Sequence, residues 1–237
     1  MTPAEARVGY GGIALAWLSL ASGCTDVLTF LKLGECFTSA MTGNMALLAV
    51  AIGRGQMLAA SRSLTALLGF VLGAALATLV DARVGTQVRS DPHLRRLLLI
   101  EIAFLGVCAA LWRAGPDPIH GVRLYAVILL SAVSMGIQGV GARRINSDGI
   151  STIVFTSVLI SIVGSLTRTL FQRAGSAASA AVSGASVGTF AAYCCGAALA
   201  GVLVTQYLAW LLWMPVAAVL LALGCFELAS KKERRLA

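Results

Sequence analysis

Apolar residues run along this chain in long unbroken stretches such as LTALLGFVLGAALATLV, separated by short clusters of charge, glycine and proline. Stretches of about 20 apolar residues at 1.5 Å per residue cross the roughly 30 Å hydrocarbon layer of a bilayer as helices. A membrane β-barrel would instead show alternating segments of about ten residues. Eight helical segments are predicted, over residues 10 to 31, 37 to 53, 64 to 81, 97 to 113, 122 to 142, 151 to 167, 185 to 205 and 207 to 228. The second and sixth are short for a span and rich in hydroxyls, so a tilted, broken or re-entrant course for both would leave six spans. The expected fold class is all-α, a polytopic transmembrane bundle of six to eight helices forming a single membrane domain over residues 1–237.

Composition strengthens this reading. Of the 237 residues, 58% are hydrophobic and 12% charged, against roughly 45–50% and about 25% in soluble domains. A formal charge of +8 raises the question of nucleic acid, but the bases lie scattered between apolar segments without an aromatic-interleaved basic face. No nucleic-acid partner is expected, and membrane lipid is. The one charge run, KKERR from Lys231 to Arg235, sits in a basic tail (residues 229–237) and reads as a face toward anionic lipid. Six cysteines lack CxxC pairing and the two histidines fall in predicted loops, so neither a metal nor a cofactor is expected. The first segment ends in LASGC, similar to a lipoprotein cleavage box displaced by one residue. Because apolar segments continue to the end, it is read as the first helix and not as a signal peptide.

With eight spans and a cytoplasmic amino terminus, Arg7, Arg54, Arg62, Arg113, Arg123, Arg168, Arg173, Lys231, Lys232, Arg234 and Arg235 lie inside, eleven of the 18 bases. The positive-inside rule then favours both termini in the cytoplasm.

Three ordered matches suggest internal duplication. Ser19, Ser22 and Asp26 correspond to Ser131, Ser134 and Gln138 at a shift of 112 residues, Thr38 and Thr42 to Thr152 and Thr156 at 114, and GAALATLV from Gly73 to GAALAGVL from Gly196 at 123. Two similar halves, 10–114 and 121–228, follow; four helices in each would make them parallel repeats.

The same residues carry the candidate chemistry. Spacings of i, i+3 and i+7, or i and i+4, fall on one helix face, so each set forms a polar line. Asp26 lies six residues before Lys32 and Thr42 seven after Glu35, which puts both on the order of 9–10 Å below one interface. A carboxylate at that depth is costly unless neutral, paired or hydrated, so Asp26 should face the bundle interior. The candidate binding residues are Asp26, Thr38, Thr42, Asn44, Ser134, Gln138, Thr152 and Thr156, with Asp26 as the titrating group. The competing reading is that Asp26 accepts hydrogen bonds from the next helix and fixes packing. In MTGN, Met41 to Asn44, glycine and backbone-bonding side chains predict a loosened or broken helix. GAALA reads as a close helix contact. Glu101 is expected to snorkel or to pair with a base on another helix, and Glu227 to pair with Lys231.

No nucleophile elbow, P-loop, dinucleotide fingerprint or catalytic carboxylate pair occurs, so no enzyme is expected. At GCTD (Gly23 to Asp26), FTSAMTGN (Phe37 to Asn44), GFVLGA (Gly69 to Ala74) and MGIQ followed by ARR, the chain resembles the YoaK family of bacterial inner-membrane proteins, defined by a domain of unknown function. That resemblance implies a multi-pass inner-membrane protein of about six helices and supplies no substrate. From the residues themselves, a small-solute or ion permease is the leading expectation, and a non-transporting scaffold or sensor, whose polar lines glue helices together, is the alternative.

Overall fold

The computed structural model describes residues 3–82, 92–145 and 184–236, with residues 159, 160, 163, 164 and 167. Its elements are α1 (Pro3–Lys32), α2 (Met41–Gly53), α3 (Met57–Ala82), α4 (Pro92–Arg113), α5 (Gly121–Ile145), α6 (Gly184–Leu203), a single turn α7 (Leu208–Leu211) and α8 (Met214–Leu236). No strand occurs among the described residues. Five stretches are long and apolar enough to cross a membrane: Tyr10–Lys32, Met57–Val80, Gly121–Ile145, Ser186–Leu203 and Leu208–Lys232. The 22-residue α4 packs with them, against α5 and α8.

Contacts at the helix ends fix the directions. Tyr10 near the start of α1 lies under the Lys232 ammonium of α8, and Gly11 faces Ile145 at the end of α5. Arg95 in the first turn of α4 pairs with Glu227 of α8 at 3.3 Å, in place of the pairing with Lys231 expected from sequence. These contacts define the terminal end of the bundle. At the opposite end Lys32 closes α1 and pairs with Asp117, just before α5. Helix α6 runs parallel to α1, since Gly196 approaches Leu20 and Gly201 approaches Val27. Helix α3 runs parallel to α5, since Ser61 meets Tyr125 and Gly73 meets Val133. Thus α1, α4 and α6 run one way and α3, α5 and α8 the other.

This order corrects the eight-span topology. Helix α1 ends, and α3 begins, at the same end of the bundle: Arg62 in the second turn of α3 lies beside Gly34, just past α1. The 13-residue α2 between them therefore does not cross. The α3–α4 and α4–α5 connections change side as a result, whereas the short connection from α6 to α8 stays at the end where the eight-span order put it. Arg7, Arg95, Arg96, Arg143, Arg144, Lys231, Lys232, Arg234 and Arg235 gather at the terminal end, while Lys32, Arg54, Arg62, Arg113 and Arg123 gather at the other. Among the described residues both termini remain on the more basic side, but for a different set of arginines. The sixth predicted segment, 151 to 167, lies almost wholly outside the described residues.

Helices α1 and α5 are central, with 67% and 72% of their most apolar windows buried, against 28% for α3 and 22% for α6. Glycines set their spacing. A methyl group on Gly23 or Gly196 would overlap the carbonyl of Tyr193 or Leu20, and one on Gly73 or Gly136 that of Val133 or Phe70. Small residues allow this approach in lipid, where no hydrophobic effect drives helices together.

Candidate functional site

Helix α1 stops because Gly34 and Glu35 take left-handed conformations, φ 86° and 61°, while the Glu35 N–H bonds back to the Phe30 carbonyl at 3.0 Å. The chain reverses there and residues 36–39 run back along the last turns of α1. Phe37 stacks on Phe30 with ring centroids 4.9 Å apart. Leu33, Cys36, Thr38 and Ser39 are buried, so non-helical backbone enters the bundle. At membrane depth such backbone persists only where protein groups satisfy it.

Asp26 supplies that satisfaction. Its side chain is fully buried, and Oδ1 accepts the N–H groups of Thr38 at 2.8 Å and Ser39 at 2.7 Å, with the Thr38 hydroxyl at 3.3 Å. Oδ2 accepts the Ser39 hydroxyl at 2.6 Å and the Tyr193 hydroxyl of α6 at 3.0 Å. The carboxylate thus joins α1, the re-entrant loop and α6. Charge-assisted bonds of this kind are shorter and stronger than neutral ones.

Asn44 performs the companion task at the start of α2. Its Oδ1 accepts the Phe37 N–H at 2.9 Å and its Nδ2 donates to the Phe37 carbonyl at 2.6 Å, so one amide satisfies both backbone groups of a loop residue. Gly43 leaves room for the Phe37 ring, which a methyl group there would approach to 3.0 Å. The break predicted at MTGN therefore falls just before it, and MTGN is the first turn of α2. Asn44→Ala is expected to cost about 1–3 kcal/mol, because both backbone groups of the partly buried Phe37 lose their side-chain partner. Chemical denaturation in detergent measures this, with Asn44→Asp, which keeps only the acceptor, in between.

Gln138 straps the central helices together one turn along α1 from Asp26. It accepts the Ser22 hydroxyl at 2.7 Å and donates to the Leu18 carbonyl at 2.8 Å. Its amide is 2% exposed, so both halves of the group are used inside the protein.

The polar residues do not all join one lining. Asp26 and Thr38 meet directly, and Asn44 and Gln138 bind neighbouring backbone. Ser134 is buried and donates to the Ser131 carbonyl of its own helix at 2.7 Å. Thr42 is exposed in the first turn of α2 and bonds none of the other candidates among the described residues. Thr152 and Thr156 lie outside the described residues.

Sequence reasoning missed Ser39 and Tyr193, the other side chains on Asp26. Ser39 was visible only as one of several hydroxyls. Tyr193 stands as a lone phenol in FAAYCCGAALA, three residues before the glycine that lets α6 approach α1. Glu101 also departs from expectation. It neither snorkels nor pairs: it is fully buried and neither oxygen has a hydrogen-bond partner.

Residues 14–225 match a family model described as "Protein of unknown function (DUF1275)". The chain is 31% identical over 208 residues to the UPF0700 transmembrane protein YoaK of Bacillus subtilis (strain 168), covering 87% of this chain and 90% of that relative. No solved structure matches the chain.

Proposed function

The chain belongs to the DUF1275 family of multi-pass membrane proteins, and from that premise we propose that it is a small-solute or ion permease of the bacterial inner membrane, with both termini in the cytoplasm. The observation that carries this reading is the pairing of its helices. Helix α1 packs parallel to α6 and antiparallel to α8, while α5 packs parallel to α3 and antiparallel to α4. A two-fold axis in the membrane plane generates this pattern from two three-span halves of opposed orientation. It favours inverted repeats over the parallel ones that four spans per half would require. Inverted triplets with a non-helical segment at depth are a recurrent construction of secondary transporters.

The glycine contacts support a register for the halves. Leu20 and Gly23 on α1 correspond to Val133 and Gly136 on α5, 113 residues on, while Phe70 and Gly73 correspond to Tyr193 and Gly196, 123 on. This shift differs by one residue from the 112 read in sequence. It pairs Asp26 with Gly139 instead of Gln138, which accounts for the different partners of the two polar side chains.

The full hydrogen bonding of Asp26, Asn44 and Gln138 favours a second reading, a non-transporting membrane scaffold whose polar groups hold helices together. Solvent-access labelling in native membranes separates the two. His120→Cys, exposed in the connection between α4 and α5, serves as the positive control. The permease reading expects Ser22→Cys or Ser134→Cys to react with a membrane-impermeant thiol reagent, because alternating access must wet the core. Silence at both positions across a range of pH and imposed ion gradients would leave the scaffold.

A further inference from the structure

Glu101 lies midway along α4 with no exposed surface, and neither of its oxygens is bonded. A bare carboxylate without partners in an apolar interior is among the least favourable placements of any side chain, and the neutral acid removes the charge. Its surroundings can be located by register. Cys108 Sγ on α4 meets Ser131 Oγ on α5 at 2.9 Å, and the two helices run antiparallel. Glu101 is seven residues before Cys108 and Gln138 seven after Ser131, so both lie two turns, about 10 Å, to the same side of that contact. Glu101 therefore shares a level with Ser134 to Gln138 on α5. Through Gln138 this level reaches Leu18 and Ser22 on α1, where the Ser19 hydroxyl is likewise buried without a partner.

The ionisable groups of the packed elements sit elsewhere. On α4, Arg95 is engaged by Glu227, and His93 and Arg96 lie in the same opening turns. On α5, Arg143 and Arg144 occupy the last turn and Arg123 and Tyr125 the first two. On α8, Lys231, Lys232 and Glu233 follow Glu227 toward the terminal end, and Cys225 lies half a turn before it; on α3, Asp81 is one residue from the end. No base bonds Glu101, so a proton is its natural counter-charge. From this level Ser19, Ser22 and Asp26 form a polar line along α1 to the re-entrant loop.

We propose that Glu101 is an exchangeable proton-binding site in the core of the bundle. Exchange breaks the carboxyl O–H bond, whose electron pair stays on oxygen while the proton passes to a water molecule, and a proton from water restores the acid. That this site couples protons to a solute rests on the permease reading; the site itself does not.

Infrared difference spectra of the full chain in liposomes test it directly. At neutral pH the protein is expected to show the carbonyl band of a protonated, desolvated carboxyl group that is lost in Glu101→Gln and shifts down after equilibration in D2O. Glu101→Asp, which keeps the carboxyl on a shorter stem, should move the band without removing it and covers the case in which the glutamine variant does not fold. Absence of the band in the native protein would overturn the proposal, since the group would then be ionised. A band that ignores D2O would also overturn it, because a sealed proton is structural. Either failure leaves the permease reading standing, whereas a silent labelling experiment with an exchanging band removes the permease and keeps the proton site.

Discussion

Asp26→Ala is expected to destabilise the detergent-solubilised protein by roughly 3–5 kcal/mol, the scale of two or more buried donors left without an acceptor. The substitution leaves the Thr38 and Ser39 amides, the Ser39 hydroxyl and the Tyr193 hydroxyl without their acceptor. Hydroxyls can rotate toward other carbonyls. The two amides are fixed by the loop, and each unsatisfied buried donor costs about 1–3 kcal/mol. Asp26→Asn should lose far less, because an amide oxygen still accepts both N–H groups. Cys36 provides a local readout. It is buried, and burial pushes its thiol up to about 12 against a smaller opposing effect of Arg62, so it should be inert in the native loop. In Asp26→Ala the loop is expected to open and Cys36 to react with a small thiol reagent under conditions where the wild type does not. Equal stability and equal Cys36 protection in the alanine variant would show that the carboxylate does not hold the loop.

The second large effect is expected at the glycine crossings. Alanine at Gly73 would overlap the Val133 backbone carbonyl, and alanine at Gly196 that of Leu20. Backbone has no rotamer with which to yield, so the central helices must separate and their packing weakens by about 1–3 kcal/mol or more. Gly106 and Gly188, also helical, have nothing within 4 Å of an added methyl group. Alanine there should stabilise by roughly 0.5–1 kcal/mol through helix propensity alone. Opposite signs for the two pairs in thermal melts are the expected result. A uniform gain at all four would mean that the crossings are looser than described.

These effects also measure what sequence could reveal of the site. Asp26 was legible because an acid between apolar residues has a large desolvation cost and so must face inward. Its partners were less so: Ser39 and the backbone N–H of Thr38 carry no special signal, and Tyr193 is 167 residues away in the chain. The partners of Gln138 were equally hidden, since Ser22 and Leu18 lie 116 and 120 residues away in the chain. Glu101 looked like many acids near a membrane interface until its burial without a partner was visible.

The sequence by itself determined that this is a multi-pass helical membrane protein, because the length and apolarity of a span are properties of consecutive residues and need no partner. It also marked the short second segment and the small residues of GAALA. Whether that segment crosses was decided only in three dimensions, by the left-handed turn at Gly34 and Glu35 and by the reach of Asp26 and Asn44 to loop backbone. That one reversal moved the α3–α4 and α4–α5 connections to the other side of the bundle and turned α3, α4 and α5 end for end relative to the eight-span order. Local hydrophobicity is blind to such a choice, since the same apolar residues suit either course and the difference lies in which distant groups satisfy a few backbone hydrogen bonds.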